Sequence, residues 1–482
     1  MALLVIDLGS SSARTLLFDD NARLLPGAVV SRAHDFATDS QGGATTDAES
    51  LRGLVERCID GILQHPAATK IRAVGMACFV GNWLGIGADG QACTPLITYA
   101  DTRSHEQIPQ LLEKLAGSAR AYHQATGCRL HTAYLPAQYN WLCHRQPAAA
   151  ARIQRISDFA SYLYARWFGR GIPASLSVAS WTGLLDGEHC RWHAGYARRL
   201  CGAGLLPKLP ALADYDDAQS GLTDAYARRW QALRDAPFFL AVGDGAAANV
   251  GSGAVDARHI ALTIGTTAAL RAVTVAQPVP TGLWRYLVSA DMPLLGGATS
   301  EGGNVYQWLW RDLLRETADL DARLAARPPA VHGLVVLPLL AGERAPGWQT
   351  DASGTIHGLR RSTNRLDLLQ AHLEAVALRL SLIYAQLASP EARVLAGGGA
   401  LNASKAWAQM LADAFDCPIL LLAENEVTAR GVALMMRQSL DGVALDAEPP
   451  QISRVAQPEP KRVAMMRAAR EQQSELYRRL YG

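Results

Sequence analysis

Several things are missing from this 482-residue chain, and each absence closes off a class of function. No Gly-Lys dipeptide occurs, so there is no P-loop that wraps phosphates around a lysine. The eight cysteines contain no Cys-x-x-Cys pair, which reads as free thiols in a reducing compartment rather than a disulfide framework or a zinc site. No unbroken apolar run has the length of a membrane span, and the N-terminus carries neither a basic leader segment nor a cleavage site. Net charge is only +2, too little to attract nucleic acid or an anionic membrane. These absences lead us to expect a cytoplasmic protein whose partner is a small molecule, with no nucleic-acid or membrane partner.

What is present is a folded chain. Hydrophobic residues make up 49% and charged residues 19%, and the length exceeds what one core supports, so two domains are expected. From Leu3 to about Arg32 the pattern reads strand, turn, strand, turn, strand. Asp47 to Gln64 reads as a helix with Leu51, Leu54, Val55, Cys58, Ile59 and Ile62 on one stripe, and "IRAVGMACFV" as a buried strand. Residues 104–240 are mainly helical. Strand patterning then returns, so we place a boundary at 242/243, with domains 1–242 and 243–482. The match of Gly85-Ile86-Gly87-Ala88-Asp89-Gly90 to a dinucleotide fingerprint is not followed by a helix, so it reads as a hairpin turn.

The first bend, "IDLGSSSAR", has an echo in "TIGTTAALR", where a strand again meets a glycine, consecutive hydroxyls and an arginine. Such a repeat suggests a duplicated domain. Glycine permits a tight turn, successive N–H groups form an anion nest, and serine or threonine adds donors without bulk. Gly9, Ser10, Ser11 and Ser12, with Arg14 nearby, can cradle phosphate, and Gly265, Thr266 and Thr267 can do the same. Asp7 can hold Mg²⁺ directly or through water. The glycines of "AGGGALN" would let a base or ribose lie against bare backbone. Asp244, flanked by Gly243 and Gly245, has the open setting a general base needs. A helix-capping role suits it equally well. Asp101 and Arg103, at i and i+2 on an expected strand, offer an acceptor and a forked donor to a polyol or carboxylate, and a plain surface ion pair is the alternative.

In order along the chain, "DLGSSSAR", "ITYADTRS", "GDGAAANVGSG", "IGTTAALR", "GERAPGW" and "GGGALN" resemble the FGGY carbohydrate kinases. The family's C-terminal signature is matched by Gly354-Thr355-Ile356-His357-Gly358-Leu359, Asp367-Leu368, Ala371 and Glu374, with His372 unusual at its position. Two departures stand out: Gln138 replaces a family lysine, and Val80-Gly81-Asn82 lacks a histidine common at the sugar site of gluconokinase-like members, which the chain otherwise looks most similar to.

The resemblance implies an α/β, two-domain actin-like (ribonuclease H-like) ATPase fold with an interdomain active-site cleft, using ATP and Mg²⁺. It implies that Asp7 organises the metal and that Ser10, Ser11, Ser12, Gly265, Thr266 and Thr267 face the phosphates. Gly302, Gly303 and Asn304 would line the nucleotide site, and Gly398, Gly399 and Asn402 would lie by the adenosine. Val80, Gly81, Asp101, Arg103 and Asp244 would meet the sugar, Asp244 as the base. The expected reaction is transfer of the γ-phosphoryl group to a terminal hydroxyl of an open-chain sugar acid or polyol, with gluconate first. Xylulose, ribulose, rhamnulose, glycerol and erythritol are the other acceptors. Arg103 and Arg344 are the candidate cations for a substrate carboxylate. A homodimer is compatible with this reading. An actin-like or Hsp70-like ATPase without a sugar would share the hairpins but has no use for Asp244 or the Asp101/Arg103 pair.

Overall fold

The structure is a computed structural model that describes residues 1–275, 277–314 and 319–482. The chain forms two compact units. The first holds Met1–Gly251, Arg285–Leu294 and Glu426–Glu448, and the second holds Ser252–Trp284, Leu295–Asn425 and Pro449–Gly482.

In the first unit, β1 (Ala2–Leu8) is buried along its whole length, as a strand covered on both faces must be. It pairs antiparallel with β2 (Ser12–Phe18), which pairs antiparallel with the largely exposed β3 (Leu24–Ala33). In α1 (Ala48–Ile62) the Asp47 side chain accepts from Ser50 N at 2.7 Å, and Leu51, Val55, Cys58, Ile59 and Ile62 are buried on the expected stripe. β4 (Ile71–Cys78) runs parallel to β1. The expected hairpin turn follows: Gly87 N donates to Gln91 O at 2.9 Å, and Gly90 has φ +76°. After α2 (Leu135–Arg145) and α3 (Phe159–Phe168) come the short strands β5 (Ala218–Gln219), β6 (Phe238–Phe239) and β7 (Val242–Gly243). The sheet order is β5-β6-β4-β1-β2-β3, and β7 also pairs parallel with β4.

Next comes α4 (Asp244–Gly251), and here the sequence boundary at 242/243 differs from the observed units. α4 stays with the first unit because it packs on a helix that returns from far along the chain, Val427–Asp441. A Cβ on Gly251 would lie 1.8 Å from Val427 O, and one on Gly431 would lie 1.9 Å from Ala247 O. Only glycine at both positions lets the two backbones touch. Local patterning does not reveal a contact between segments some 180 residues apart.

The second unit repeats the plan. β8 (His259–Ile264) pairs antiparallel with β9 (Ala268–Val273). The strand order continues through the hairpin of β10 (Trp284–Ser289) and β11 (Met292–Thr299), whose residues Arg285–Leu294 count with the first unit, and α5 (Gly303–Trp308) follows. α6 (Arg365–Leu387) is the long helix expected from sequence. It has the length and apolar composition of a membrane span, but most of it is buried inside the unit, with Leu369, Val376, Leu380 and Ile383 in the core. β12 (Arg393–Gly397) runs parallel to β8, and after α7 (Lys405–Phe415) β13 (Ile419–Leu422) runs parallel to β12. β14 (Ile452–Ala456) completes the order β10-β11-β9-β8-β12-β13-β14, and α8 (Pro460–Tyr481) closes the chain. Each sheet thus joins an antiparallel hairpin to parallel strands.

Candidate active site

In the first unit the register sets β1, β4 and β7 side by side, with Leu8 opposite Cys78 and Gly243 opposite Cys78. Their carboxyl ends therefore release the β1–β2 turn, Phe79-Val80-Gly81 and Asp244 at one edge of the sheet. In parallel sheets that edge is where ligands bind.

The β1–β2 turn is closed by Gly9 N donating to Ser12 O at 2.9 Å, and His34 N donates to Ser11 O at 3.0 Å. Ser11 is exposed, and Ser10 and Ser12 are half-buried. Asp7 and Arg14 face each other across the ladder, and Arg14 donates to Asp7 Oδ2. The same guanidinium donates to Glu426 Oε2 at 2.5 Å. Sequence reasoning missed Glu426, which lies 412 residues from Arg14 and belongs to no motif. Burial raises the Asp7 carboxyl above its ordinary range, against the pull of Arg14. Asp7 Oδ1 carries no hydrogen bond from the described residues. The described residues contain no cluster of three or more metal-ligating side chains. One carboxylate with a spare oxygen beside a hydroxyl turn suits Mg²⁺ that keeps its waters and takes the rest of its ligands from phosphate.

Three segments converge in the second unit. Gly265 N donates to Thr267 O at 3.0 Å, Gly303 N to Gly265 O at 2.7 Å, and Asn304 N to Thr266 O at 3.2 Å. Asn304 Oδ1 accepts from Gly302 N at 2.8 Å, which closes the loop on itself. A Cβ on Gly303 would lie 2.7 Å from Gly265 O, and one on Gly398 (φ +122°) would lie 2.3 Å from Ile264 O. Gly265, Thr266, Thr267, Gly399 and Asn402 are exposed beside this junction.

Beneath it, Glu301 is 2% exposed and accepts from Ala341 N at 3.0 Å. Burial pushes its carboxyl up to about 7, against backbone hydrogen bonds from Ala341 and Leu340 and the nearby Arg379 charge. Arg344, Glu343 and Arg379 share a small cavity with it, with room for about one water. Glu343 pairs with Arg379 and accepts from Tyr477 Oη at 2.5 Å. The signature acids Asp367 and Glu374 are internal: Asp367 completes the cap of α6, and Glu374 accepts from Ala330 N and Gln370 Nε2.

Around Asp244 the geometry is close. A Cβ on Gly243 would lie 2.8 Å from Val80 Cγ1 and 3.3 Å from Trp181 Nε1, and one on Gly81 (φ +65°) would lie 2.9 Å from Tyr99 Cβ. Val80 is buried, Tyr99 is exposed, and Asp244 is half-buried with Oδ1 accepting from Gly245 N at 2.7 Å. Asp244 is thus the first residue of α4 and directly follows Gly243, so the capping and base readings fall on one residue. Trp181, Tyr134 and Tyr286 also belong here. Sequence reasoning missed Trp181, because nothing in its spacing marks the indole.

Asp101 and Arg103 need a correction. Asp101 lies in irregular backbone after a turn and Arg103 opens a short 3₁₀ helix (Arg103–Gln107), so neither is on a strand. Asp101 is 1% exposed, accepts from Ala44 N at 3.1 Å and from Arg103 N at 3.1 Å, and pairs with the Arg103 guanidinium, which lies 4.1 Å from the centre of the Trp141 ring. The acid accepts from its own loop and from the strand Ala44–Thr46. Gln138, in place of the family lysine, is also internal: it accepts from Trp83 Nε1 at 2.8 Å and donates to Thr98 O at 2.9 Å.

Comparison with known proteins decides the family. A family model described as "FGGY family of carbohydrate kinases, N-terminal domain" matches residues 2–251, and its C-terminal counterpart matches 260–437. The chain belongs to the FGGY family of carbohydrate kinases. It is similar to a gluconokinase of Bacillus subtilis, 24% identical over 90% of this chain and 86% of the relative. It is also similar to a glycerol kinase of Aromatoleum aromaticum, 28% identical over 90% of this chain and 89% of the relative. The solved structure of a ligand-bound xylulose kinase from Lactobacillus acidophilus superimposes with a TM-score of 0.91 at 24% identity, covering 99% of this chain and 98% of that one. The fold is therefore the two-domain actin-like ATPase fold, and this FGGY protein is an ATP-dependent sugar kinase.

Proposed function

We propose that this kinase transfers the γ-phosphoryl group of ATP to a terminal hydroxyl of an open-chain sugar acid or polyol, with gluconate the first candidate and Asp244 the general base. The observation that carries this reading is the position of Asp244 at the carboxyl end of β7, directly after Gly243, which lies against Val80 and Trp181. Its carboxylate orients the acceptor hydroxyl and takes its proton, a role worth ~10²–10⁴ in rate. Phosphoryl transfer otherwise depends on positioning and on neutralising charge. Ser10, Ser11 and Ser12, with the N–H groups of their turn, offer donors to phosphate oxygens, as do Gly265, Thr266 and Thr267. Gly302, Gly303 and Asn304 hold the second hairpin in shape, and Gly398, Gly399 and Asn402 give the nucleoside bare backbone to lie on. Asp7 would hold Mg²⁺, which would supply positive charge beside the phosphates, and Arg14, itself bonded to Glu426, fixes the Asp7 carboxylate. We assign Arg103 a positioning role for the Asp101 loop, with the sugar meeting Val80, Gly81 and Tyr99.

Glycerol and xylulose kinases are similar to this chain at 26–28% identity, and no histidine follows Phe79, so shorter polyols and ketopentoses form the second reading. An ADP-release assay against gluconate, xylulose, ribulose, rhamnulose, glycerol and erythritol tests both. Turnover with one class and not the others assigns the acceptor, and ATP hydrolysis indifferent to all of them rejects the proposal. In Asp244→Asn we expect phosphorylation to fall by ~10²–10⁴ with ATP affinity little changed. An active variant removes Asp244 from the role of base.

A further inference from the structure

Trp181 adjoins the candidate base, yet the chemistry above leaves it without a task. Its indole lies face to face on Tyr286, with ring centres 3.7 Å apart and planes 23° from parallel, and Tyr286 Oη lies 2.6 Å from Tyr134 Oη. The stack is held from its own backbone. Ser180 Oγ accepts from Leu287 N at 3.1 Å and donates to Ser177 O at 2.7 Å. On the other side of Trp181, Gly183 has φ +77°, and a Cβ there would lie 2.8 Å from Tyr122 Oη and 3.3 Å from Tyr134 Cβ. The indole cannot swing away without breaking these contacts.

One edge of that indole meets the residue before the base. Nε1 lies 3.3 Å from where a Cβ on Gly243 would be, one residue before Asp244. The same side chain lines a small cavity of about 30 Å³, room for about two waters, with Gly81, Asn82, Gln138, Asp158 and Trp192. The polar groups of that cavity are committed elsewhere. Asn82 bridges Phe79 O and Phe159 N, Gln138 bridges Trp83 and Thr98, and Asp158 accepts from Ser161 N at 2.9 Å as the cap of α3. What remains is an apolar, tryptophan-walled space suited to the C–H faces of a carbon chain, with Trp181 standing between it and Gly243.

We propose that Trp181 is a specificity-determining residue: stacked on Tyr286, it partitions Asp244 from this cavity and so limits the length and bulk of the acceptor. The inference rests on the reading of Asp244 as the acceptor's base. A chain whose reactive hydroxyl reaches Asp244 meets the indole before it can extend past Gly81. Removing the indole joins the two spaces and admits longer acceptors, and the loss of one wall weakens the grip on short ones.

The test is steady-state kinetics of the full chain with the six-acceptor panel, comparing wild type, Trp181→Ala, Trp181→Leu and Trp181→Phe. In Trp181→Ala we expect kcat/KM for the longest acceptor relative to the shortest to rise by about tenfold or more, the scale that one or a few methylenes command in an apolar pocket. KM for ATP should not move. Trp181→Phe, which keeps a ring on Tyr286, should retain the wild-type ranking, and Trp181→Leu should shift it in the same direction as alanine. Circular dichroism melts establish which variants fold, and if the alanine variant does not, the leucine variant carries the test. A folded alanine or leucine variant with an unchanged ranking overturns this inference alone, because the active wild type leaves the kinase reading standing. A wild type that phosphorylates none of the panel overturns both.

Discussion

At the scale of single residues, burial decides what an acid can do. Asp101 and Asp7 are both almost fully buried, but Asp101 accepts from Ala44 N, Arg103 N and the Arg103 guanidinium, whereas Asp7 keeps Oδ1 available. The sequence showed both as acids near glycines or hydroxyls and offered no means of telling them apart, because the difference lies in partners contributed by distant backbone. Glu301 carries a prediction of its own. Its folded-state pKa of about 7 lies above the ordinary 4.5, so between those values the native state holds a proton that the unfolded chain releases. Stability conferred by the neutral form is present below about 4.5 and is lost as pH rises towards 7. Glu301→Gln keeps an acceptor for Ala341 N and carries no charge, so its melting temperature should exceed that of wild type at pH 8 and match it near pH 4.5. Equal differences at both pH values in thermal melts would refute the assignment.

At the scale of elements, most of the pattern was legible. The stripe of α1, the β1–β2–β3 meander, the hairpin at Gly87 and the length of α6 all follow from period and turn chemistry that act within a few residues. Asp101 and Arg103 were misplaced on a strand because "ITYAD" is rich in strand formers while Asp101, Thr102 and Arg103 cap and open a turn, a choice settled by Ala44 N across the loop. The start of α6 shows local chemistry at work: Asn364 Oδ1 accepts from Leu366 N at 2.9 Å and Asp367 N at 3.1 Å, and Asp367 accepts from Asn364 N in return. Replacing Asn364 by alanine should cost about 1 kcal/mol, seen as a lower urea midpoint at unchanged slope.

For the molecule as a whole, the residues proposed for the nucleoside and for the acceptor fall in different units, while the proposed phosphate donors fall in both. Gly302, Gly303, Gly398 and their hairpin belong to the second unit, and Val80, Gly81, Trp181 and Asp244 to the first. Gly303→Ala pushes a methyl group against Gly265 O and should raise KM for ATP while leaving KM for the acceptor in place, the opposite of Trp181→Ala. A change in both Michaelis constants would show that the division fails. The duplication was readable from the two hydroxyl bends, whereas the membership of α4 was not, since it depends on glycine-to-backbone contact with the helix Val427–Asp441.

That helix has a consequence for how the protein is made. The first unit draws its pieces from Met1–Gly251, Arg285–Leu294 and Glu426–Glu448. A nascent chain on the ribosome cannot finish this unit until residue 448 has been translated. Until then α4 has no cover over Ala247 and Gly251, and the carboxylate of Glu426 has not arrived to steady Arg14. An early stop codon past residue 251 should therefore yield an adhesive fragment in need of a chaperone rather than a free-standing half-enzyme.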